Sequence, residues 1–376
     1  MKFVIAPDSF KESMTALEAA QAIQAGLLRA IPDAQCQLIP LADGGEGTVA
    51  TLVHANQGQL VATKTAGPLS DQSVTSNLGL INDEQTAVIE VAAADGLGLV
   101  PTTQRNPLVT SSYGVGQQIL VAFDYGVKRM IIGFGGSATV DGGLGILQAL
   151  GAQCLDQAGQ PVSAGGQGLR QVVTLDLSTV DPRLAKTELI LASDVTNPLL
   201  GEDGAAYVFG PQKGADPGMV DELEVGMANY AHLMAKATGH DYSKVVGAGA
   251  AGGIGFALLA LGGQIQSGIQ LVMNETNLAS AVKQADYVIT GEGRIDFQTQ
   301  FGKTPAGVAQ VAKQAVKPLI AIGGSLGDDL SALYEVGFTA IFGCVGALQP
   351  LDQVLSQGPQ NLARTADNIG RLLLTK

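Results

Sequence analysis

Short apolar runs and amphipathic stretches alternate at both ends of this chain, while the middle is patterned differently. Residues 2–6 read as a buried parallel strand, and Thr15 to Ala30 as an amphipathic helix with Ser13 as its N-cap and Pro32 just past its end. Residues 36–41 read as a second strand and Glu46 to Ala55 as a second helix. Two βα units in the first 56 residues are what a doubly wound parallel sheet requires. The C-terminal third repeats the style. Apolar runs at 286–290, 318–322 and 340–345 are separated by helical patterns at 304–316 and 328–337. The five strands together match a single flavodoxin-like sheet, interrupted by a long insertion.

The insertion reads differently. From about 60 to 100 the pattern is of short alternating strands (Gln59–Lys64, Val74–Leu80, Thr86–Val91) with turn residues between them, as in an antiparallel meander. A helix at 112–126, a buried strand at 129–133, a glycine-rich turn into a helix at 142–151 and a buried strand at 188–192 follow. This divides the chain into a discontinuous flavodoxin-like α/β domain, residues 1–62 and 285–376, and an inserted α/β domain, residues 63–284.

Composition narrows the function classes. A length of 376 residues is long for one hydrophobic core. With 46% hydrophobic and 15% charged residues, the chain is compact rather than disordered. Its net charge of −13 has the wrong sign for general binding to nucleic acid or an anionic membrane. The most apolar window, Val245 to Leu261, is too short and glycine-rich to span a bilayer. The N-terminus opens directly on a strand-like KFVIA with no room for a signal peptide, so a cytoplasmic protein is expected. Cys36, Cys154 and Cys344 are too scattered for a zinc or disulfide framework. Glycine is the exception to an ordinary composition: 50 residues, nearly twice the usual ~7%, in clusters without a period. Such clusters mark loops that turn sharply or approach a ligand.

Three loops follow predicted strands and carry charged and hydroxyl groups: Pro7-Asp8-Ser9-Phe10-Lys11, Asp43-Gly44-Gly45-Glu46-Gly47-Thr48, and Gly291-Glu292-Gly293-Arg294-Ile295-Asp296 with Lys303-Thr304 behind it. The C-terminal edge of a parallel sheet is where α/β proteins present chemistry, so one pocket is expected from the three. The segment Gly133 to Gly143 is a fourth. It lies between a buried strand and a helix, so its amides and the hydroxyls of Ser137 and Thr139 suit a phosphate. Asp8, Asp43, Glu46, Asp141, Asp194, Glu292 and Asp296 are carboxylates at loop positions. Phosphoryl transfer uses such groups to hold Mg2+ and to face the accepting hydroxyl. Lys11, Arg294 and Lys213 are candidate cations for an anionic substrate.

Other motifs fail on inspection. Gly247-Ala248-Gly249-Ala250-Ala251-Gly252 has the dinucleotide spacing, but a poor strand precedes it and no acidic residue follows at the right distance. Gly302-Lys303-Thr304 ends like a Walker A loop, yet Phe297 stands where its first glycine belongs. His54, His232 and His240 lack partners at metal-ligand spacing, and there is no GxSxG elbow.

Taken together and in order, APDSFKES at 6–13, LADGGEGT at 41–48, GFGGSATVDGG at 133–143, ASDVTNPLLG at 192–201, FGPQKGA at 209–215, GAGAAGGIG at 247–255 and TGEGRID with QTQFGKTP at 290–305 resemble the bacterial glycerate kinase family. The resemblance spans nearly the whole chain; one departure is Glu12, where a glycine is expected. It implies a second α/β domain inserted in the flavodoxin-like one, and ATP-dependent phosphorylation of D-glycerate to 2-phosphoglycerate. On that footing, glycerate lies in a cleft between the domains, its carboxylate near Lys11 and Arg294, with Asp194 orienting or deprotonating the accepting hydroxyl. Asp43, Glu46, Glu292 and Asp296 are expected to hold Mg2+, directly or through water. Gly135, Gly136 and Ser137 with Lys303, Gly291 and Gly293 are expected at the ATP phosphates. The alternatives are 3-phosphoglycerate as product, a Rossmann-type hydroxy-acid dehydrogenase, and a non-catalytic glycerate sensor.

Overall fold

The computed structural model of the protein describes residues 1–347 and 349–375. They form two compact units, each with its own sheet and core: Met1–Asp43, His54–Asn56 and Ile269–Lys376 in the first, Gly44–Val53 and Gln57–Gly268 in the second. The sequence boundary at 62/63 falls inside the strand Gln59–Ala66. The boundary at 284/285 falls at the end of the helix Leu278–Gln284, which belongs to the first unit. No helix among the described residues is long and apolar enough to cross a membrane.

The first unit carries an all-parallel sheet in the order Gln35–Leu38, Lys2–Ile5, Tyr287–Ile295, Leu319–Leu326, Ala340–Gly343. Numbered within the unit this is 2-1-3-4-5, the flavodoxin-like order expected from the sequence. Phe3, Ile5, Ile23, Leu27, Ile289, Ile322 and Leu362 form its buried core. The helix Ala16–Ala30 packs against Gly358–Leu373. The axes come close because Gly26 has no side chain: a Cβ there would lie 2.1 Å from the Ala363 carbonyl oxygen. The first helix starts at Thr15 rather than Ser13. Thr15 Oγ1 accepts from the Glu18 amide and Glu18 Oε2 accepts from the Thr15 amide, a complete capping box.

The second unit holds a six-stranded mixed sheet. Gln264–Gln266, Glu188–Ala192, Arg129–Gly133 and Thr86–Glu90 run parallel, and Ser73–Ile81 and Gln59–Ala66 continue as an antiparallel meander. The meander and the strands at 129–133 and 188–192 stand where the apolar pattern predicts. Tyr230, on the helix Pro217–Thr238, meets Phe256 edge-on at 5.5 Å in the buried core. In each unit the C-terminal ends of the parallel strands gather the polar residues singled out above.

Candidate active site

In the first unit the strand Tyr287–Ile295 does not stop at the glycines. It pairs with its neighbour as far as Glu292 opposite Gly323 and Arg294 opposite Ser325. Gly291 and Gly293 are therefore strand residues, not turn residues. A Cβ on Gly291 would meet the Ile322 oxygen at 2.3 Å, whereas one on Gly293 would make only ordinary contact, at 3.5 Å or more, with the backbone of Phe10 and Lys11. Alternation along the strand puts Thr290, Glu292 and Arg294 on the opposite face from Gly291, Gly293 and Ile295.

Glu292 accepts from Thr299 Oγ1 at 2.8 Å, and Lys303 Nζ stands 3.9 Å from its other oxygen. Burial, against those partners, pushes the Glu292 carboxyl up to about 7. Asp8 accepts from Thr304 Oγ1 at 2.5 Å; it too is raised, by burial first and further by the charge of Asp43. Asp296 is spent differently. One of its oxygens caps the turn Phe297–Gln300 by accepting from the Gln298 amide, and the other lies 3.0 Å from Arg294 Nε. Arg294 and Lys11 are exposed. Lys303 sits at the N-cap of the helix Thr304–Gln314.

In the second unit Gly44 and Gly45 lie across the ends of two parallel strands. A Cβ on Gly133 would be 2.4 Å from the Gly44 oxygen, and one on Gly135 would be 2.6 Å from Gly45 Cα. Those two glycines make room for a passing backbone. The glycine loop's other parts are largely engaged. Asp141, fully buried, accepts from the amides of Ser112, Gly143 and Gly145 and from Ser112 Oγ. The start of the helix Leu144–Ala149 is thus filled by a carboxylate of the chain itself. Thr139 Oγ1 donates to Asp95. The buried Lys213 Nζ donates to Ser137 Oγ at 2.7 Å and to the Thr139 carbonyl at 2.6 Å. Lys213 is therefore an internal anchor, not a cation presented to a substrate. Burial lowers it to about 8 and raises Asp95 well above the usual carboxylate range, while the charges of Asp95 and Asp141 pull the lysine back toward its ionised form. Three amides remain. Those of Gly135, Gly136 and Ser137 make no hydrogen bond among the described residues. Asp194, two residues past the end of the strand Glu188–Ala192, is exposed and has no hydrogen bond or ion pair among them.

A sequence profile of the glycerate kinase family matches residues 3–374. The chain belongs to the glycerate kinase family. It is 51% identical to the glycerate kinase of Haemophilus influenzae over the full length of both chains. It is 47% identical to the glycerate 2-kinase of Escherichia coli K12, covering 99% of this chain and 98% of the other. A crystal structure from Salmonella typhimurium LT2, assigned to glycerate kinase 2, superposes with a TM-score of 0.90. It is 46% identical and covers all of this chain and 98% of that one.

Within this glycerate kinase family member, the structure sorts the predicted residues. Lys11, Asp43, Gly291, Glu292, Gly293, Arg294, Asp296 and Lys303 lie in the first unit; Glu46, Gly135, Gly136, Ser137 and Asp194 lie in the second. The loop 43–48 is itself divided between them. Nor do the carboxylates gather as a dense metal cluster: no three His, Cys, Asp or Glu side chains among the described residues converge as a set for a metal. Sequence reading gave no role to Glu90. Its carboxylate accepts from the Val49 amide at 2.7 Å and caps the start of the helix Thr48–Ala55 that follows Glu46. The dinucleotide-like glycines also have a packing explanation. Gly249 and Gly252 would carry a Cβ into the carbonyls of Pro198 and Thr139, and no strand leads into them. Glu12, the departure from the family pattern, adopts φ +64°, a left-handed conformation that glycine takes without cost.

Glu292 has a consequence for stability. The folded protein keeps its proton up to about pH 7, whereas its ordinary value is 4.5. Between those values the native state binds more protons than the unfolded chain, so stability falls as pH rises through the window. Glu292→Gln is expected to flatten the dependence of the urea midpoint on pH between 4.5 and 7, removing up to about 3 kcal/mol of variation. An unaltered slope would mean that Glu292 is ionised throughout.

Proposed function

We propose that the protein transfers the γ-phosphoryl group of ATP to the 2-hydroxyl of D-glycerate, giving 2-phosphoglycerate. The observation that carries this reading is the end-to-end similarity, at 47–51% identity, to glycerate kinases that include one named glycerate 2-kinase. Both substrates are small charged metabolites, which fits a cytoplasmic enzyme.

In this reading Lys11 and Arg294 attract the glycerate carboxylate as exposed cations. The free amides of Gly135, Gly136 and Ser137 are donors for phosphate oxygens, held in place from beneath by Lys213. Lys303, at a helix N-terminus, adds a point charge. Gly291 contributes by letting the Ile322 carbonyl of the neighbouring strand approach closely, rather than by touching phosphate. Asp194 faces the accepting hydroxyl and takes or orients its proton.

The donor set at the first unit's sheet edge fits Mg2+. Burial raises Asp8 and Glu292, and acidic neighbours add to it, Asp43 at Asp8 and Asp8 at Glu292, so a cation bound among them would favour their ionised forms. Mg2+ is usually held by only one or two carboxylates with water and substrate phosphate, so a dense cluster is not needed. Asp8, Asp43 and Glu292 would hold it, in place of the larger set with Glu46 and Asp296. When bound, it would neutralise charge building on the transferring phosphoryl group.

Incubation with D-glycerate and Mg-ATP, followed by phosphorus NMR, tests the reading. A 2-phosphoglycerate resonance is expected. A 3-phosphoglycerate resonance would keep the kinase and overturn the choice of hydroxyl; intact ATP with no product would overturn both.

A further inference from the structure

Phe297 and Phe301 stand 57% and 71% exposed on the turn that follows the strand Tyr287–Ile295, their rings edge to face with centroids 6.4 Å apart. Two solvent-facing aromatic rings this close are unfavourable in water unless something covers them. They are also held out by construction. Asp296 caps the turn, the fully buried Thr299 is anchored to Glu292, and Gln300 Nε2 donates to the Phe297 carbonyl at 2.8 Å. A rigid turn keeps the rings from folding back onto the protein.

The surroundings narrow what would cover them. Phe297 lines an open cleft with Arg294, Lys303, Asp328 and Asp329. Just beyond Phe301, Lys303 begins an eleven-residue helix whose first turn has no acidic side chain. One end of the site is thus flat and aromatic, and the other offers positive charge and a helix N-terminus. A nucleotide has the same two ends, a π-faced base and a polyanion. A hydrophobic peptide would make no use of the helix N-terminus, and a free phosphate would leave the rings uncovered.

We infer that Phe297 and Phe301 form a stacking platform for the base of the phosphoryl donor, with its phosphates directed to Lys303. Aspartates in the same cleft suit ribose hydroxyls, as carboxylates do in other nucleotide sites. Stacking is tolerant of base identity because every base has a π-face. The platform therefore sets donor affinity more than choice between ATP and GTP. The assignment rests on the ATP-dependent reading above.

The chain contains no tryptophan, so Phe297→Trp installs a single reporter. ATP is expected to quench its fluorescence, and tripolyphosphate, which lacks a base, is expected to leave it unchanged at equal occupancy. In the Phe297→Ala/Phe301→Ala protein the KM for ATP should rise roughly 5- to 100-fold. The KM for D-glycerate and kcat should stay within about twofold of wild type. Both side chains are exposed, so the fold should survive. Wild-type turnover with an unchanged ATP KM in the variant would overturn the platform, as would quenching by tripolyphosphate equal to that by ATP. If the double variant instead dissociates a dimer seen by sedimentation and leaves the ATP KM alone, the rings are a contact between copies and the inference fails. Quenching by ATP in a protein without glycerate kinase activity would sustain the platform and sink the activity.

Discussion

Lys213→Met is expected to destabilise the protein by about 3–5 kcal/mol, one of the largest losses any single substitution here should cause. The ammonium is buried and donates to Ser137 Oγ and the Thr139 carbonyl. Asp95 and Asp141, both fully buried, are the charges it offsets. Methionine fills a similar volume but removes both hydrogen bonds and leaves two carboxylates without a counter-charge. One Asp95 oxygen already lacks a partner, so this part of the core has little reserve. A urea unfolding curve measures the loss. Adding Asp95→Asn should recover part of it, because the second change removes the negative charge that the first leaves uncompensated. A loss below about 1 kcal/mol would show that the lysine is already neutral and easily replaced. Turnover should fall along with stability, since the same side chain holds the loop that presents the Gly135, Gly136 and Ser137 amides.

Asp194→Asn should lower kcat by about 100- to 10,000-fold while changing the KM for D-glycerate little. Ser193 Oγ accepts from the Val195 amide, which fixes the backbone on both sides of Asp194. Asn preserves shape and one acceptor oxygen and loses the ability to take a proton. The phosphoryl-transfer transition state is loose, so much of the effect should come from misdirecting the hydroxyl rather than from the missing proton acceptor. By this logic Asp194→Glu should also impair turnover, because an added methylene moves the carboxylate by more than the positioning tolerates. Initial rates over a range of D-glycerate concentrations separate the two parameters. A kcat within tenfold of wild type in the Asn variant would remove Asp194 from the role and turn attention to Asp8 and Glu292.

Much of the architecture was legible from one dimension. Buried strands in a parallel sheet are short continuous apolar runs, and the runs at 2–6, 129–133, 188–192, 286–290 and 318–322 each became one. The family motifs were legible too, because each is a contiguous string. The capping box at Thr15 and Glu18 was also present in the sequence, and Ser13 was the wrong choice among adjacent hydroxyl residues.

The sequence could not decide what each polar group would face. Gly291 and Gly293 looked like a turn because glycine weakens strands. The long pairing with Leu319–Leu326 overrides that preference, a partner some thirty residues away. Lys213 and Arg294 are alike as cations in a string of letters, but packing buries the one and exposes the other. Asp141, Asp296 and Glu90 each act as a capping carboxylate because the amides they satisfy lie where the backbone happens to start a helix or turn. The sequence by itself determined which segments would be strands and helices and which chemical groups the chain possesses, because periodicity and composition are local. Which of those groups are spent inside the protein, and which remain to meet a substrate, was decided only by tertiary structure, because hydrogen bonding and burial depend on neighbours that are distant along the chain.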